Sequence, residues 1–338
     1  MLESYNVYEY DENGNPTKDS YYGADGILKR YITCEYDEND NLIKQSKYNA
    51  DGKPSYVFEY NEIGNIIKSS QYNDDGILSS IFEYYENGKT KKESRYGDDG
   101  KPSYSCEYNE NGKVIKVSHY DDDGILESCR TYEYNENGKI TKESDYNADG
   151  VLESYNVYEY DENGNPTKDS YYDGDGKLES CSTYEYDESG NLIKESQYNA
   201  DGKLSSVFEY DENGMPTKKS YYNADSKLSS VSEYDENGLP TKESYYIYDD
   251  DGKLEGYNAY EYDENGKTKK VSSYDADGKL KGYSIVERDE NSNSAKISYY
   301  NADGKLRNYS VVEYDENGNI KKMSHYDADG TLTSEQDF

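Results

Sequence analysis

Thirteen lysines recur at one fixed place in this 338-residue chain, each eight residues after a Glu-Tyr pair or, once, after Glu287-Arg288. Lys68, Lys92 and Lys116 are three successive members, and a serine follows each of them two residues later. Tyrosines stand two residues beyond those serines, as at Tyr72 and Tyr96. Aromatic platforms with ammonium and hydroxyl groups beside them suit sugars or acidic glycans. The same pattern has a plainer reading, a solvated cationic face that balances an acidic one.

Other chemistry finds less support. Catalysis needs a few unlike residues converging on one spot, and near-copies of one unit do not supply that. His119 and His325 occupy the same outward position in distant units, which reads as a solvated strand histidine and gives no Ser-His-Asp arrangement. Cys34 and Cys106 are six strands apart, about 29 Å at ~4.8 Å per strand, and Cys129 and Cys181 are four strands apart. A disulfide needs Cα atoms within about 7 Å, so four free thiols are expected. Acidic turns such as Asp121-Asp122-Asp123-Gly124 invite calcium, but the EF-hand ligand spacing is missing, and turn chemistry explains them. No metal or cofactor motif is present. A formal charge of −35 repels phosphate, which excludes nucleic acid as a partner.

Those columns must be positioned by β structure. With 45 Tyr among 32% hydrophobic residues, Leu, Ile, Val and Phe are scarce enough to suggest disorder at this net charge. Periodicity overrules composition. The Tyr of successive Glu-Tyr pairs, from Tyr10 to Tyr314 with Arg288 in the equivalent place before the last, is spaced by 24, 26 or 28 residues, always even. A strand requires that parity, because one extra residue moves every later side chain to the other face. Each unit holds two turns that begin with Asp or Asn and usually carry Gly fourth, as in Asn61-Glu62-Ile63-Gly64. This is a type I turn with Gly left-handed and a bulge. The competing reading, a two-residue type I′ turn, scatters the segregated residues over both faces. Asp40 and Ser226 replace the Gly and carry left-handed strain.

In the bulged register, residues of equal parity share one face. The even face then holds the thirteen Lys with Arg30, Arg130 and Arg288, the Ser column, Tyr and Leu, and no strand carboxylate. Lys68 would lie between Phe58 and Phe82 in cation–π contact. Tyr60 would face Ile66, and a rim row would run Tyr48, Pro54, Tyr72, Leu78, Tyr96, Pro102. Such a face cannot be a dry core, because unpaired ammonium groups are costly to bury. The candidate ligand-binding set is therefore Lys68, Lys92, Lys116, Tyr72, Tyr96, Phe58 and Phe82.

Tyr10-Asp11-Glu12-Asn13-Gly14, followed by a short strand and another Y-x-x-x-G, resembles the YD repeats of Rhs, teneurin and insecticidal-toxin shell proteins. The resemblance extends over all thirteen units. It implies a long antiparallel sheet curling into a spiral or hollow shell, on a secreted or surface protein. The Arg common after the Gly in that family is here Asn or Lys, and no autoproteolytic or toxin segment is found, so cargo encapsulation does not carry over. Bacterial MORN-like repeats (Y-x-N-G-K) are a second resemblance.

The expected architecture is all-β: an elongated antiparallel β-hairpin repeat of about 26 strands, a single sheet coiled into a superhelix or open shell. It forms a single array of about thirteen 24–28-residue units with a truncated unit at each end. Met1 leads straight into LESYNVYEY, the second half of a unit, so the chain reads as an excerpt. No run approaches the ~18 apolar residues of a membrane span, and no signal peptide opens the chain. The expected function is a non-enzymatic surface or secreted binding module that shows its Tyr/Lys/Ser face to a carbohydrate or other polymer. The alternative is a purely structural spacer or shell.

Overall fold

A computed structural model describes residues 3–289 and 293–338. Among them are twenty-seven β-strands and no helix, arranged in one open antiparallel sheet. Strands consecutive in sequence pair with one another, as from Pro54–Tyr60 to Ile66–Tyr72 to Leu78–Tyr84. The chain divides into two compact units, Met1–Tyr158 with Tyr171–Lys177 and Glu159–Ser170 with Leu178–Phe338. Both are built from the same hairpin.

The turns make the pairing local. The Gly64 N–H donates to the Asn61 carbonyl at 2.9 Å, and the Asn61 N–H donates to the Asn65 carbonyl at 2.9 Å. Gly64 has φ +83°, where a side chain costs about 1–2 kcal/mol. The Asn61 carboxamide oxygen accepts the N–H groups of Ile63 and Asn65, which is why Asn or Asp opens most turns, those at Gly23, Tyr85 and Gly97 excepted. A type I′ turn would need positive φ at the preceding residue too. Among the described residues, only Asp40, Ser226 and Asn293 show positive φ without being glycine. The bulged type I turn is therefore the one used, and Asp40 and Ser226 carry the expected strain. Asp40 is held there partly by the neighbouring turn, whose Asn13 and Asn15 donate to its carboxylate at 2.9 and 2.7 Å.

A second irregularity overturns the expected faces. Tyr60 does face Ile66, but Glu59 faces Lys68, so Ile67 is an extra residue on its strand. The next hairpin repeats the device: Tyr72 faces Leu78, Gln71 faces Ser80, and Ser79 is extra. The Ser79 hydroxyl donates to the Gln71 carbonyl across the gap at 3.1 Å, and Ser55 does the same to Lys47 at 3.2 Å. Such hairpins thus carry two bulges, and the second cancels the parity preserved by the first; the pairing of Leu280–Asp289 with Ser294–Asn301 shows no such shift. Even residues of one strand share a face with odd residues of the next. The rim pairs Tyr48–Pro54, Tyr72–Leu78 and Tyr96–Pro102 form as expected, because they lie between the two bulges.

There is little conventional core. Among the described residues, buried apolar ones are few (Cys106, Cys129, Val207, Ala259, Ala295 and Val312), whereas seventeen serines are buried. Twelve of these belong to the column that follows the lysines, with Ser46 and Ser272 only 1% exposed. Ser70 shows the cause: Val57 and Ile81 face it from the two adjoining strands, and Lys68 and Tyr72 flank it along its own. A short side chain between larger ones is covered from the sides even in a single layer.

Candidate functional site

The structure brings Lys68, Lys92, Lys116, Tyr72 and Tyr96 to one face and places Phe58 and Phe82 on the other. Phe58 and Phe82 both stand opposite Ser69, while Lys68 stands between Glu59 and Glu83. The expected Lys68 sandwich between two rings is therefore corrected to a Lys between two carboxylates. Lys68 Nζ is 3.4 Å from Glu59, and Lys92 is 3.5 Å from Glu107. Lys116 faces Glu107 across the next pair. Nine of the thirteen column lysines form such ion pairs among the described residues. The opposite parity of Lys and Glu in the sequence is the mark of cross-strand pairing, not of separation onto two faces.

Cation–π contacts do occur, with different partners. Lys142 lies 4.5 Å from the centre of the Tyr155 ring, which stacks on Tyr172 at 4.7 Å. Lys296, Tyr309 and Tyr326 repeat the arrangement at 4.6 and 4.8 Å. These sandwiches form where a unit is longer and a tyrosine stands three residues past the turn exit, as at Tyr31, Tyr155, Tyr283 and Tyr309. That recurring Leu-x-x-Tyr was the available signal.

Many tyrosine hydroxyls are already engaged. Tyr36 donates to the Pro16 carbonyl, Tyr134 to Val114 and Tyr186 to Pro166, each twenty residues back. These bonds tie successive hairpins along the sheet edge. Arg288, which replaces the tyrosine in its unit, donates a guanidinium N–H to the Thr268 carbonyl at 2.6 Å, again twenty residues back. Other tyrosines cap carboxylates: Tyr262 donates to Glu243 at 2.6 Å and Tyr184 to Asp169 at 2.9 Å. Burial pushes the Tyr262 hydroxyl above its ordinary pKa, and the Glu243 carboxylate adds to the shift. Tyr104 is pushed up to about 12, mainly by burial and then by the Cys106 thiol.

The candidate face has the shape of a shallow groove rather than an enclosed pocket. One stretch, of about 440 Å³, lies over Lys44, Ser46, Tyr48, Ser70, Tyr72 and Leu78. Its lysines are about a third exposed, as Lys68 is at 36%. The acidic turns use their carboxylates internally: Asp121 accepts the N–H groups of Asp123 and Ile125, both at 2.9 Å. The backbone N–H of Asn15 likewise holds Asp11 below the usual carboxylate range, against the opposing effect of partial desolvation. Among the described residues no group of three or more His, Cys, Asp and Glu could hold a metal ion. All four cysteines are free thiols.

With this geometry in place, comparison with known proteins is informative about the repeat alone. Residues 29–71, 172–221 and 198–245 match the family described as "Protein of unknown function (DUF2963)", and residues 310–328 match the MORN repeat variant. The chain is a repeat protein. The MORN-like resemblance has a counterpart in these matches, whereas neither match is to YD repeats. No curated protein matches the chain. Among solved structures, the TcdB2-TccC3-TEV crystal structure is 11% identical over 100% of this chain and 24% of its own, with TM-score 0.18. The Tc holotoxin pore of Photorhabdus luminescens is 11% identical over 98% and 27%, with TM-score 0.20. A porin-like protein from Bacteroides uniformis is 13% identical over 72% and 94%, with TM-score 0.25. The chain spans about a quarter of the length of the first two. Similarity this slight carries no argument about activity.

Proposed function

We propose that the chain is a non-enzymatic β-repeat scaffold whose repeated face is structural: a spacer or shell element in which ion-pair, hydroxyl and ring ladders replace a core. The Glu–Lys ladder supports this reading, because most of the column that could have met an anionic polymer is paired with the chain's own carboxylates. Tyr-to-carbonyl bonds between hairpins and the packed column of buried serines support it further, since both are spent within the sheet. A position at the cell surface or outside the cell fits a scaffold of this kind, as the repeat resemblance implies. The charge of −35 argues against nucleic acid as a partner.

The exposed groove over Lys44 and Tyr72 favours a second reading, a binding module that presents Tyr, Lys and Ser to a carbohydrate or other polymer. The two are separated by the combined substitution of Lys68, Lys92 and Lys116 by Gln. A structural face predicts a lower melting temperature and unchanged behaviour on a glycan array. A binding face predicts multivalent, salt-sensitive retention that the substitution abolishes. That second outcome would overturn the structural reading.

A further inference from the structure

A trough of about 760 Å³ opens over the strands from Thr268–Asp275 to Ile320–Asp327, on the face opposite the lysine column. The repeat explains how it forms. Four residues past the turn exit, three units place Phe58, Phe82 and Phe208, whereas these two, like the units of Ser182 and Ser232, place Ser284 and Ser310. Two residues earlier stand Gly282 and Asn308, where Tyr56 and Tyr104 occur elsewhere. Omitting those rings leaves a hollow lined by hydroxyl and amide groups. Tyr299, 40% exposed, supplies an aromatic wall, and the floor holds Ser310, 4% exposed. The Ser310 hydroxyl lies 2.8 Å from His325 Nδ1.

The rim is cationic. Lys281 and Arg307 are the extra residues of their bulges, the position that Ser55 and Ser79 fill elsewhere with a hydroxyl bonded to backbone. Neither cation forms an ion pair among the described residues, and no described residue lining the trough is acidic. In a chain with 72 Asp and Glu, that local absence leaves the two charges uncompensated. The hollow around His119 shows the contrast, since its Arg130 is held by Asp145 at 2.6 Å. Asp275 and Asp327 stand near the trough, but each accepts two backbone N–H groups within its own turn.

We propose that this trough binds an acidic saccharide. The carboxylate or sulfate sits between Lys281 and Arg307, the hydroxyls meet Asn308, Ser284 and the Ser310–His325 pair, and a pyranose face packs on Tyr299. The charge calls for an anion, while a volume in the range of small-molecule sites and a polar lining call for a polyol attached to it. The site lies on the opposite face from the lysine column and does not depend on that column's role.

The test is titration calorimetry of the full chain with size-defined uronic-acid and sulfated oligosaccharides, their neutral counterparts, and inorganic sulfate. Acidic oligosaccharides should bind, with neutral sugars and sulfate at least about tenfold weaker. Arg307→Gln and Lys281→Gln should each weaken binding about tenfold, the effect of losing a charge-assisted contact. Ser284→Phe installs the residue the repeat carries at 58, 82 and 208, and should abolish binding at an unchanged melting temperature. Should it destabilise the fold, the exposed Arg307→Gln change decides alone. The Lys68/Lys92/Lys116→Gln variant should bind normally. Absence of binding, equal affinity for neutral sugars or for sulfate, or loss that follows the lysine column rather than Arg307 overturns the proposal.

Discussion

Lys68 and Arg307 are both cations on a β-sheet face, and they stand in opposite circumstances. Lys68 lies between Glu59 and Glu83, beside a serine covered by Val57 and Ile81. Arg307 sits on the rim of a hollow with no acid in its lining and no ring filling its floor. The first region closes on itself, and the second leaves charge and hydrogen-bonding capacity unspent. In a repeat protein the units that depart from the pattern are therefore more informative about function than those that keep it.

The comparison breaks most severely if the register is moved. Inserting one residue between Ser70 and Gln71 should destroy the cooperative transition in circular-dichroism melting, because every later side chain changes face relative to its partners. Inserting two residues there should be tolerated, as the natural 24- and 26-residue spacings are. Equal damage from both would refute the parity argument.

A smaller break comes from filling the covered column. Ser46→Leu should cost about 1–3 kcal/mol through overpacking, read as a shift of the denaturation midpoint. By contrast Ser284→Phe should cost almost nothing, since its site is a vacant hollow. Next in size is the loss of a tie between hairpins: Tyr134→Phe removes the 2.6 Å bond to the Val114 carbonyl and should cost about 1 kcal/mol.

Alkaline pH tests the tyrosines together. Tyr104, Tyr184, Tyr210 and Tyr262 are all raised above 10.0, with burial as the largest cause for each. A group that holds its proton more tightly when folded contributes stability below the unfolded pKa and loses it as pH rises toward the folded one. Melting temperature should therefore hold up to about pH 10 and fall above it. Tyr262→Phe should flatten the fall; an unchanged profile would remove its phenol from the account. The smallest effect is expected from Lys68→Gln alone, no more than about 0.5–1 kcal/mol, because the pair with Glu59 is exposed and screened.

Much of this protein was legible in its sequence. The even spacing of Glu-Tyr pairs required strands, Asn or Asp first and Gly fourth required bulged turns, and both follow from local backbone chemistry. The pairs nearest each turn, such as Tyr60–Ile66, were legible for the same reason. The face of each column was not, because it depends on whether Ile67 or Ser79 is counted into the ladder or out of it. Composition at those positions gives no sign of a bulge, which exists only as a relation between two strands. One such residue turned Lys68 from the neighbour of Phe58 into the partner of Glu59. The trough beneath Arg307 was hidden likewise: Gly282, Ser284, Asn308 and Ser310 are unremarkable in sequence, and only their alignment on adjoining strands makes a cavity. Sequence periodicity sets which residues repeat, but cross-strand register decides which of them meet, since contact depends on a sum of positions that every bulge changes by one.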